Sequence, residues 1–205
     1  MKRFLILFSC SVIALNLIFF FIPLGQYNKI YTDIIRLHVI ANSDSDTDQA
    51  LKLSVRDELL TQVEELLAPC KDTESAHALL SSELENLEKS ARDVICSLGF
   101  EYDVSTSLDC EFYPTKEYKE LKLPGGEYNS LKVVIGEGKG QNWWCVLFPP
   151  VCTGSASVKE ELSETGFTSS QIKLITETDS ENYEVKFKCL EYLSEIKQKI
   201  KKLFS

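Results

Sequence analysis

The chain begins with an apolar run that differs from everything after it. Behind Lys2 and Arg3, residues 4–22 carry no charged side chain. A helix of that length can cross the roughly 30 Å hydrocarbon core of a bilayer, and the two basic residues would stay on the cytoplasmic side. The pattern predicts a signal peptide or signal anchor over residues 1–25, followed by an exported domain over residues 26–205. The end of the apolar run has no Ala-x-Ala cleavage site. The segment is therefore expected to be either a cleaved signal peptide or a retained membrane anchor, and the sequence leaves both open.

Short apolar runs and helical spacings follow one another in the first half of the exported part. Residues 34–40 are apolar and often β-branched, which predicts a strand. The polar residues 42–48 then offer side chains of the kind that cap helices. Leucine and valine recur at helical spacing over residues 51–67 and again over residues 76–98. Two helices are therefore predicted, and Gly99 ends the second.

The second half changes to a period of two. Residues 102–113 alternate between apolar and polar side chains, and residues 128–135 and 142–148 are typical of two further strands. The glycine-rich connection between the last two predicts a hairpin. Residues 153–182 show no clear pattern, and residues 184–204 return to helical spacing. The expected fold is a single α+β domain, with a mostly antiparallel sheet packed with helices, behind an N-terminal membrane or signal segment.

The charge balance narrows the range of functions. The chain has 22 Lys and Arg against 31 Asp and Glu, a net charge of −9. A protein whose main partner is nucleic acid needs a basic face, which this balance does not provide. A hydrophobic content of 44% with 26% charged residues is typical of a folded globular domain.

One of the seven cysteines lies in the apolar N-terminal run and six lie beyond it. Export permits disulfides, and Cys145 with Cys152 is the predicted pair because Pro149 and Pro150 between them can turn the chain back. The alternative, a zinc site, lacks any C-x-x-C spacing. Neither a metal nor another cofactor is therefore expected. Small apolar positions in or beside helices are predicted for Cys70, Cys96 and Cys189.

A possible calcium loop fits its motif poorly. Asp44, Asp46 and Asp48 alternate as ligands of such a loop do, but Gln49 and Val55 stand where it needs Gly and Glu. Capping of the following helix explains the same aspartates, because their carboxylates would lie at its positive end.

The inventory for catalysis is equally poor. The glycine-rich loop at residues 136–140 lacks the spacing of a nucleotide loop and precedes a strand, so a hairpin tip explains it better. Only His38 and His77 can act as a histidine base, and no Ser-His-Asp arrangement is visible. A small exported hydrolase that uses Cys145 or carboxylates remains the alternative function.

Both tryptophans of the chain are adjacent, at positions 143 and 144. On a strand their side chains must face opposite sides. One ring can fill the core while the other points outward, and an exposed tryptophan is a common anchor of protein interfaces. The alternative is that both faces are covered and both rings belong to the core.

Two segments resemble the stage II sporulation protein R family. The first contains IRLHVIANSDS at residues 35–45, DQALK at 48–52 and VRD at 55–57. The second contains PGGEY at residues 124–128 and G-x-G-x-NWWCVLFPP-x-C at 138–152, and a weaker match, EFYPT, lies at 111–115. The NWWC to PP-x-C stretch is highly specific, and the family pattern includes both of its cysteines.

The resemblance implies an intercellular signal of endospore-forming bacteria. Members are made in the forespore and exported across its membrane into the intermembrane space. There they activate a membrane-embedded aspartic protease of the mother cell, which cleaves the inactive precursor of a sporulation sigma factor. The family acts as an activator without known catalytic residues, so this chain is expected not to be an enzyme. It would touch a membrane itself only through residues 4–22, if these are not cleaved.

Two sets of residues follow as hypotheses. The predicted contact surface for the protease is Gly138, Gly140, Asn142, Trp143, Trp144, Phe148, Pro149 and Pro150. A structural role, in which capping and a buried charge pair hold the strand-to-helix turn, is predicted for Arg36, Asn42, Ser43, Asp44, Gln49, Lys52 and Arg56.

Overall fold

The computed structural model describes residues 2–21, 24–151 and 157–177 and the separate positions 188, 191, 192, 195, 196 and 199. The helices of these ranges are α1 (Lys2–Phe21), α2 (Leu24–Thr32), α3 (Asp46–Leu67), α4 (Thr73–Ser82), α5 (Leu84–Ser97), α6 (Val158–Glu164) and α7 (Ser169–Thr176). The strands are β1 (Ile35–Ile40), β2 (Val104–Tyr113), β3 (Lys116–Glu117), β4 (Lys122–Leu123), β5 (Gly126–Ile135) and β6 (Asn142–Phe148).

Helix α1 covers most of the apolar run, and α2 follows it where the sequence pattern predicts no element. A search of the described residues finds no helix with the length and apolarity that a membrane span requires. The signal or anchor role of residues 1–25 stays a prediction.

Strand β1 lies inside a four-stranded sheet with the order β2-β5-β1-β6. It runs parallel to β5 and antiparallel to β6, and β2 pairs antiparallel with β5. The sheet is therefore mixed, with two antiparallel pairings and one parallel pairing. The predicted hairpin of β5 and β6 is wrong, because β1 separates these strands. β1 is apolar and almost wholly buried, as is typical of an interior strand paired on both edges.

Two layers cover the sheet and complete a single α+β domain. The β1 side chains alternate, so that Leu37 and Val39 face helices α3–α5 while Arg36 and His38 face the other side. The second face is covered by α2, α6, α7 and the small β3–β4 sheet. Each face therefore has its own buried core, and the edge strand β6 contributes to both.

The helix predictions hold with three corrections. Ser45 caps α3, so this helix begins at Asp46, ahead of the first predicted apolar position. The predicted second helix is two helices, α4 and α5, which meet at Glu83. Helices α6 and α7, each opened by a capping box at Ser157 or Thr168, occupy the range without a clear pattern. Most of the predicted helix 184–204 lies outside the described residues, and its described positions are helical.

Candidate protein-contact site

The two resembling segments meet at one end of the sheet. The turn between β1 and α3 (residues 41–45) lies against the connection between β5 and β6 (residues 136–141). The Lys139 amide donates to the Asn42 carbonyl at 3.1 Å, and the Gly140 amide donates to the Ala41 carbonyl at 2.9 Å. We call these two segments, with the first turns of α3, the turn lock.

Side chains of the β1–α3 turn extend the turn lock. Asn42 Oδ1 accepts from the Glu137 amide at 3.0 Å, and Asp44 Oδ1 accepts from the Gln141 amide at 2.8 Å. Both carboxamide and carboxylate therefore satisfy amides of the β5–β6 connection. Asn42 and Asp44 therefore hold the turn against this connection, and the dependence of stability on them stays a prediction.

Asp48 is the buried centre of the turn lock, with 3% of its surface exposed. Its carboxylate accepts from Ser43 Oγ at 2.6 Å and from Asn42 Nδ2 at 2.9 Å. These hydrogen bonds, that from Ser43 foremost, hold the pKa of Asp48 below its ordinary value against the opposing effect of burial. The sequence pattern suggests that Asp48 caps helix α3. In the structure the cap is the Ser45 hydroxyl, which accepts a hydrogen bond from the Asp48 amide.

Lys52 closes the turn lock from α3. Its ammonium group donates to Gln49 Oε1 at 2.6 Å and to the Gln141 carbonyl at 2.9 Å. Gln49 in turn donates to the Ser43 carbonyl at 2.8 Å. Lys52 is buried, and burial lowers its pKa. Both residues therefore connect the helix to the two loop segments.

Two glycines of the predicted contact surface also belong to the turn lock. A Cβ atom at Gly140 would lie 2.2 Å from the Ser43 carbonyl oxygen, so the segments can approach only with glycine there. Gly138 has φ +60°, a left-handed conformation that glycine adopts without strain. Packing and backbone conformation therefore account for both glycines, and their contact with a partner stays a prediction.

Trp143 and Trp144 lie opposite Val39 and His38 on β1, and they face opposite sides of the sheet, as predicted. Trp143 is 37% exposed on the side of α3. The Arg56 guanidinium carbon lies 4.2 Å from the centroid of its ring, and Arg56 Nη2 lies 2.5 Å from the carboxylate of the exposed Asp57. Arg56 therefore supports the Trp143 ring rather than forming the predicted buried charge pair.

Trp144 is half-buried on the second face. Its ring centroid lies 5.8 Å from that of His38 and 6.3 Å from that of Tyr113. The Lys116 ammonium nitrogen lies 5.2 Å from the Trp144 ring centroid. Cations therefore flank both tryptophans, one on each side of the sheet edge.

A cleft of about 530 Å³ opens at this edge beside β6. Its apolar wall comes from both tryptophans together with Leu60, Leu121, Val151 and Val158. Its polar lining consists of Arg56, Asp57, Tyr118, Lys119 and Glu120. An apolar floor with a charged rim is the anatomy of many protein contact sites.

The rest of the predicted contact surface is divided by burial. Asn142 is exposed at the start of β6, whereas Phe148 is 2% exposed within the core of the α3–α5 face. Pro149 is buried and Pro150 is half-buried. Phe148 and Pro149 are therefore largely covered within the fold, and their contact with a partner stays a prediction.

Arg36 is fully buried on the second face, inside a cage of tyrosine rings. Its guanidinium carbon lies 4.0 Å from the ring centroid of Tyr113, 5.1 Å from that of Tyr128 and 5.9 Å from that of Tyr118. Nη2 donates to the Tyr118 hydroxyl at 2.5 Å. Nε and Nη1 have no hydrogen-bond acceptor among the described residues.

Glu111 is the centre of a polar network beside that cage. Its carboxylate lies 3.0 Å from His38 Nδ1 and 2.7 Å from the Lys132 ammonium nitrogen, and Ser130 Oγ donates to it at 3.1 Å. Burial alone would raise the pKa of Glu111, but the contacts with His38 and Lys132 outweigh it and lower the pKa to about 2. Sequence reasoning missed this residue, although the weak EFYPT match begins with it.

Acid stability is expected to depend on Glu111. Because its pKa is lowered in the folded state, its stabilisation is complete above the ordinary pKa of 4.5 and is lost as the pH falls toward 2. Glu111→Gln should remove about 2 kcal/mol of stability at neutral pH and flatten the pH dependence below pH 4.5. Denaturant unfolding of the full chain between pH 2 and pH 7 measures this. Asp109→Asn, at an exposed position of the same strand, is the control, and equal acid slopes in both variants would contradict the prediction.

The geometry does not favour the hydrolase alternative. Cys145 is 5% exposed in the core of the α3–α5 face, whereas His38 points to the other face and contacts Glu111 and Asn142. A nucleophile and its base must lie within hydrogen-bonding reach. The predicted disulfide partner, Cys152, lies outside the described residues, so the pairing of Cys145 with Cys152 stays a prediction.

The fold and the site together define a small α+β protein with a mixed sheet, a glycine-dependent turn lock and an aromatic cleft along one edge strand. The family model of stage II sporulation protein R matches residues 31–158, which include all six strands. The stage II sporulation protein R of Bacillus subtilis (strain 168) is 31% identical over 180 residues, 79% of this chain and 80% of that protein. The chain therefore belongs to the stage II sporulation protein R family. No solved structure matches it.

Proposed function

We propose that this chain is an exported sporulation signal that activates a membrane-embedded aspartic protease in the mother cell. Its N-terminal segment, residues 1–25, directs it across the forespore membrane into the intermembrane space. The activated protease then cleaves the inactive precursor of a sporulation sigma factor. The chain itself makes or breaks no covalent bond.

The observation that carries this proposal is the family match over the whole sheet. The B. subtilis relative is named for stage II of sporulation, which places the role of this chain in the same process. Activation by contact requires a surface that binds the active state of the protease more tightly than the inactive state. The cleft beside β6, with Trp143 at its exposed rim, is the best candidate for that surface.

Co-expression in a bacterium that does not sporulate tests the proposal. The full chain, the membrane protease and the sigma-factor precursor are expressed together, and cleavage of the precursor is followed by immunoblot. We expect cleavage only when all three proteins are present and the chain is exported. Omission of residues 1–25 should prevent cleavage, because the chain then stays on the wrong side of the membrane. Cleavage that is independent of this chain would refute the proposal.

A further inference from the structure

Arg36 is buried without a directly paired carboxylate among the residues that the structure describes. The side chain is 0% exposed, no carboxylate pairs with it there, and two of its three nitrogens lack an acceptor. Burial raises the pKa of both Tyr113 and Tyr128, so these phenols stay neutral. The cage therefore offers aromatic faces and one neutral hydroxyl to a full positive charge.

The burial of Arg36 in this cage lowers the free energy of unfolding. Removing a guanidinium from water costs several kcal/mol, which good ion pairing can offset. Contacts with aromatic faces return about 0.5–2 kcal/mol each, and the donors without acceptors add a further cost. An apolar side chain of similar size would fill the same space without that cost. The buried charge therefore points to an acceptor that comes from outside the domain.

Tyr118 separates the cleft beside β6 from Arg36. Tyr118 and Trp144 line the cleft, and the Tyr118 hydroxyl is the group that holds Arg36 Nη2. Tyr118 lies in the turn between β3 and β4, which have two residues each. Leu121 and Leu123 anchor this hairpin in the core of the second face, so displacement of the Tyr118 hydroxyl involves its side chain and not the whole hairpin.

The charges around the cleft favour a carboxylate as the incoming group. Arg56 and Asp57 in its lining pair with each other, which leaves Lys119 and Glu120. With the Lys116 ammonium group over the Trp144 ring, the cleft is locally positive in a chain whose net charge is −9. An acidic segment of a partner is repelled by most of the surface of this acidic chain and attracted to the cleft.

We propose that Arg36 is the receptor for a carboxylate of the protease, which enters through the cleft and takes the place of the Tyr118 hydroxyl. This inference rests on the proposed function, because it identifies the chemistry by which the same contact is made. The exchange replaces a neutral phenol with a carboxylate, which can accept two parallel hydrogen bonds from the guanidinium and so serves nitrogens that now lack an acceptor. Arg36 thereby contributes to binding rather than to folding.

Capture of the protease from detergent-solubilised membranes tests the proposal. The full chain, tagged at its C-terminus, is immobilised as wild type, Arg36→Met, Arg36→Lys and Tyr118→Phe, and the bound protease is quantified. Arg36→Met should weaken capture roughly 10- to 100-fold, and Arg36→Lys should weaken it less. Tyr118→Phe should strengthen capture by roughly fivefold, because no hydroxyl competes for the guanidinium.

Thermal unfolding of the same variants separates binding from folding. Arg36→Met should unfold at the wild-type temperature or above it, since a buried charge is replaced by an apolar group. Undiminished capture by Arg36→Met would overturn the inference and leave the proposed function standing. If Arg36→Met does not fold, Tyr118→Phe decides, because weaker capture by that variant would overturn the inference. Failure of the wild type to capture the protease would overturn the inference and the proposed function together.

The alternative acceptor for the Arg36 guanidinium is a carboxylate of this chain itself. Glu191 accepts a hydrogen bond from the Thr115 hydroxyl, and its charge helps to raise the pKa of Tyr31 and of Tyr128, which belongs to the cage. If Arg36→Met and Glu191→Gln lower the unfolding temperature and the double variant lowers it no further, the acceptor is Glu191 and the inference is overturned. An Arg36→Met variant that unfolds at the wild-type temperature or above, whatever the effect of Glu191→Gln, agrees with an acceptor supplied by the protease.

Discussion

Replacing Gly140 by alanine is expected to lower the free energy of unfolding by about 3–5 kcal/mol. The added Cβ would lie 2.2 Å from the Ser43 carbonyl oxygen and 2.8 Å from the Ala41 Cβ, so the two segments must separate. Separation breaks the hydrogen bond from the Gly140 amide to the Ala41 carbonyl. A loss of this size is a large share of the roughly 5–15 kcal/mol that holds a domain together.

Gly99→Ala is the matched control for that variant. Gly99 has φ +81°, and a Cβ there would meet no atom within 4 Å. Alanine at position 99 therefore costs only backbone strain, about 1 kcal/mol. Circular dichroism during chemical denaturation of the full chain in mild detergent measures both variants. A Gly140→Ala loss no larger than that of Gly99→Ala would show that the turn lock tolerates separation.

The strands of the sheet could be predicted from the sequence, but their order could not. Short runs of apolar, β-branched and aromatic residues are typical of strands, so β6 was predicted with its observed ends and β1 within one residue. Which strands pair depends on contacts between distant segments. The glycine-rich connection predicted a hairpin, although its glycines serve close packing against the β1–α3 turn.

The site was predictable only where a residue type is unusual. Adjacent tryptophans on a strand indicate an exposed aromatic ring, and Trp143 is partly exposed. The sequence singled out Arg36 and Asp48 but not Glu111, and it gave the surroundings of none of the three, because burial and partners depend on the fold. The sequence predicted a buried charge pair for Arg56, whereas its guanidinium lies over the Trp143 ring. Arg56 on α3 and Trp143 on β6 are far apart in the sequence, so residue spacing does not indicate this contact.

The turn lock and the cleft are parts of one arrangement. Lys52 and Arg56 lie one turn apart on α3, where the first binds the Gln141 carbonyl and the second covers the Trp143 ring. The helix thus fixes the start of β6 and supports its exposed side chain at the same time. Damage to the turn lock should therefore reduce signalling through loss of structure, whereas damage to the cleft should reduce signalling in a folded protein.

Trp143→Ala is expected to abolish most signalling while the domain stays folded. A tryptophan that anchors an interface loses at least 2 kcal/mol of binding on truncation, roughly a 30-fold loss of affinity. The cost to folding should be about 2 kcal/mol, because the 37% exposed side chain loses its buried apolar surface and its contact with Arg56. Precursor cleavage in the co-expression assay measures signalling, and thermal unfolding measures the fold.

Phe112→Ala is the control for the loss of an exposed aromatic side chain away from the cleft. Phe112 is 39% exposed, close to the value for Trp143, and lies on β2 at the opposite edge of the sheet. Its truncation removes a similar exposed aromatic group far from the cleft and should leave precursor cleavage unchanged. Trp143→Phe keeps an aromatic face for Arg56 and should retain part of the activity. If Trp143→Ala signals normally at wild-type protein levels, the protease contacts another face, and a loss in Phe112→Ala would place that face at β2.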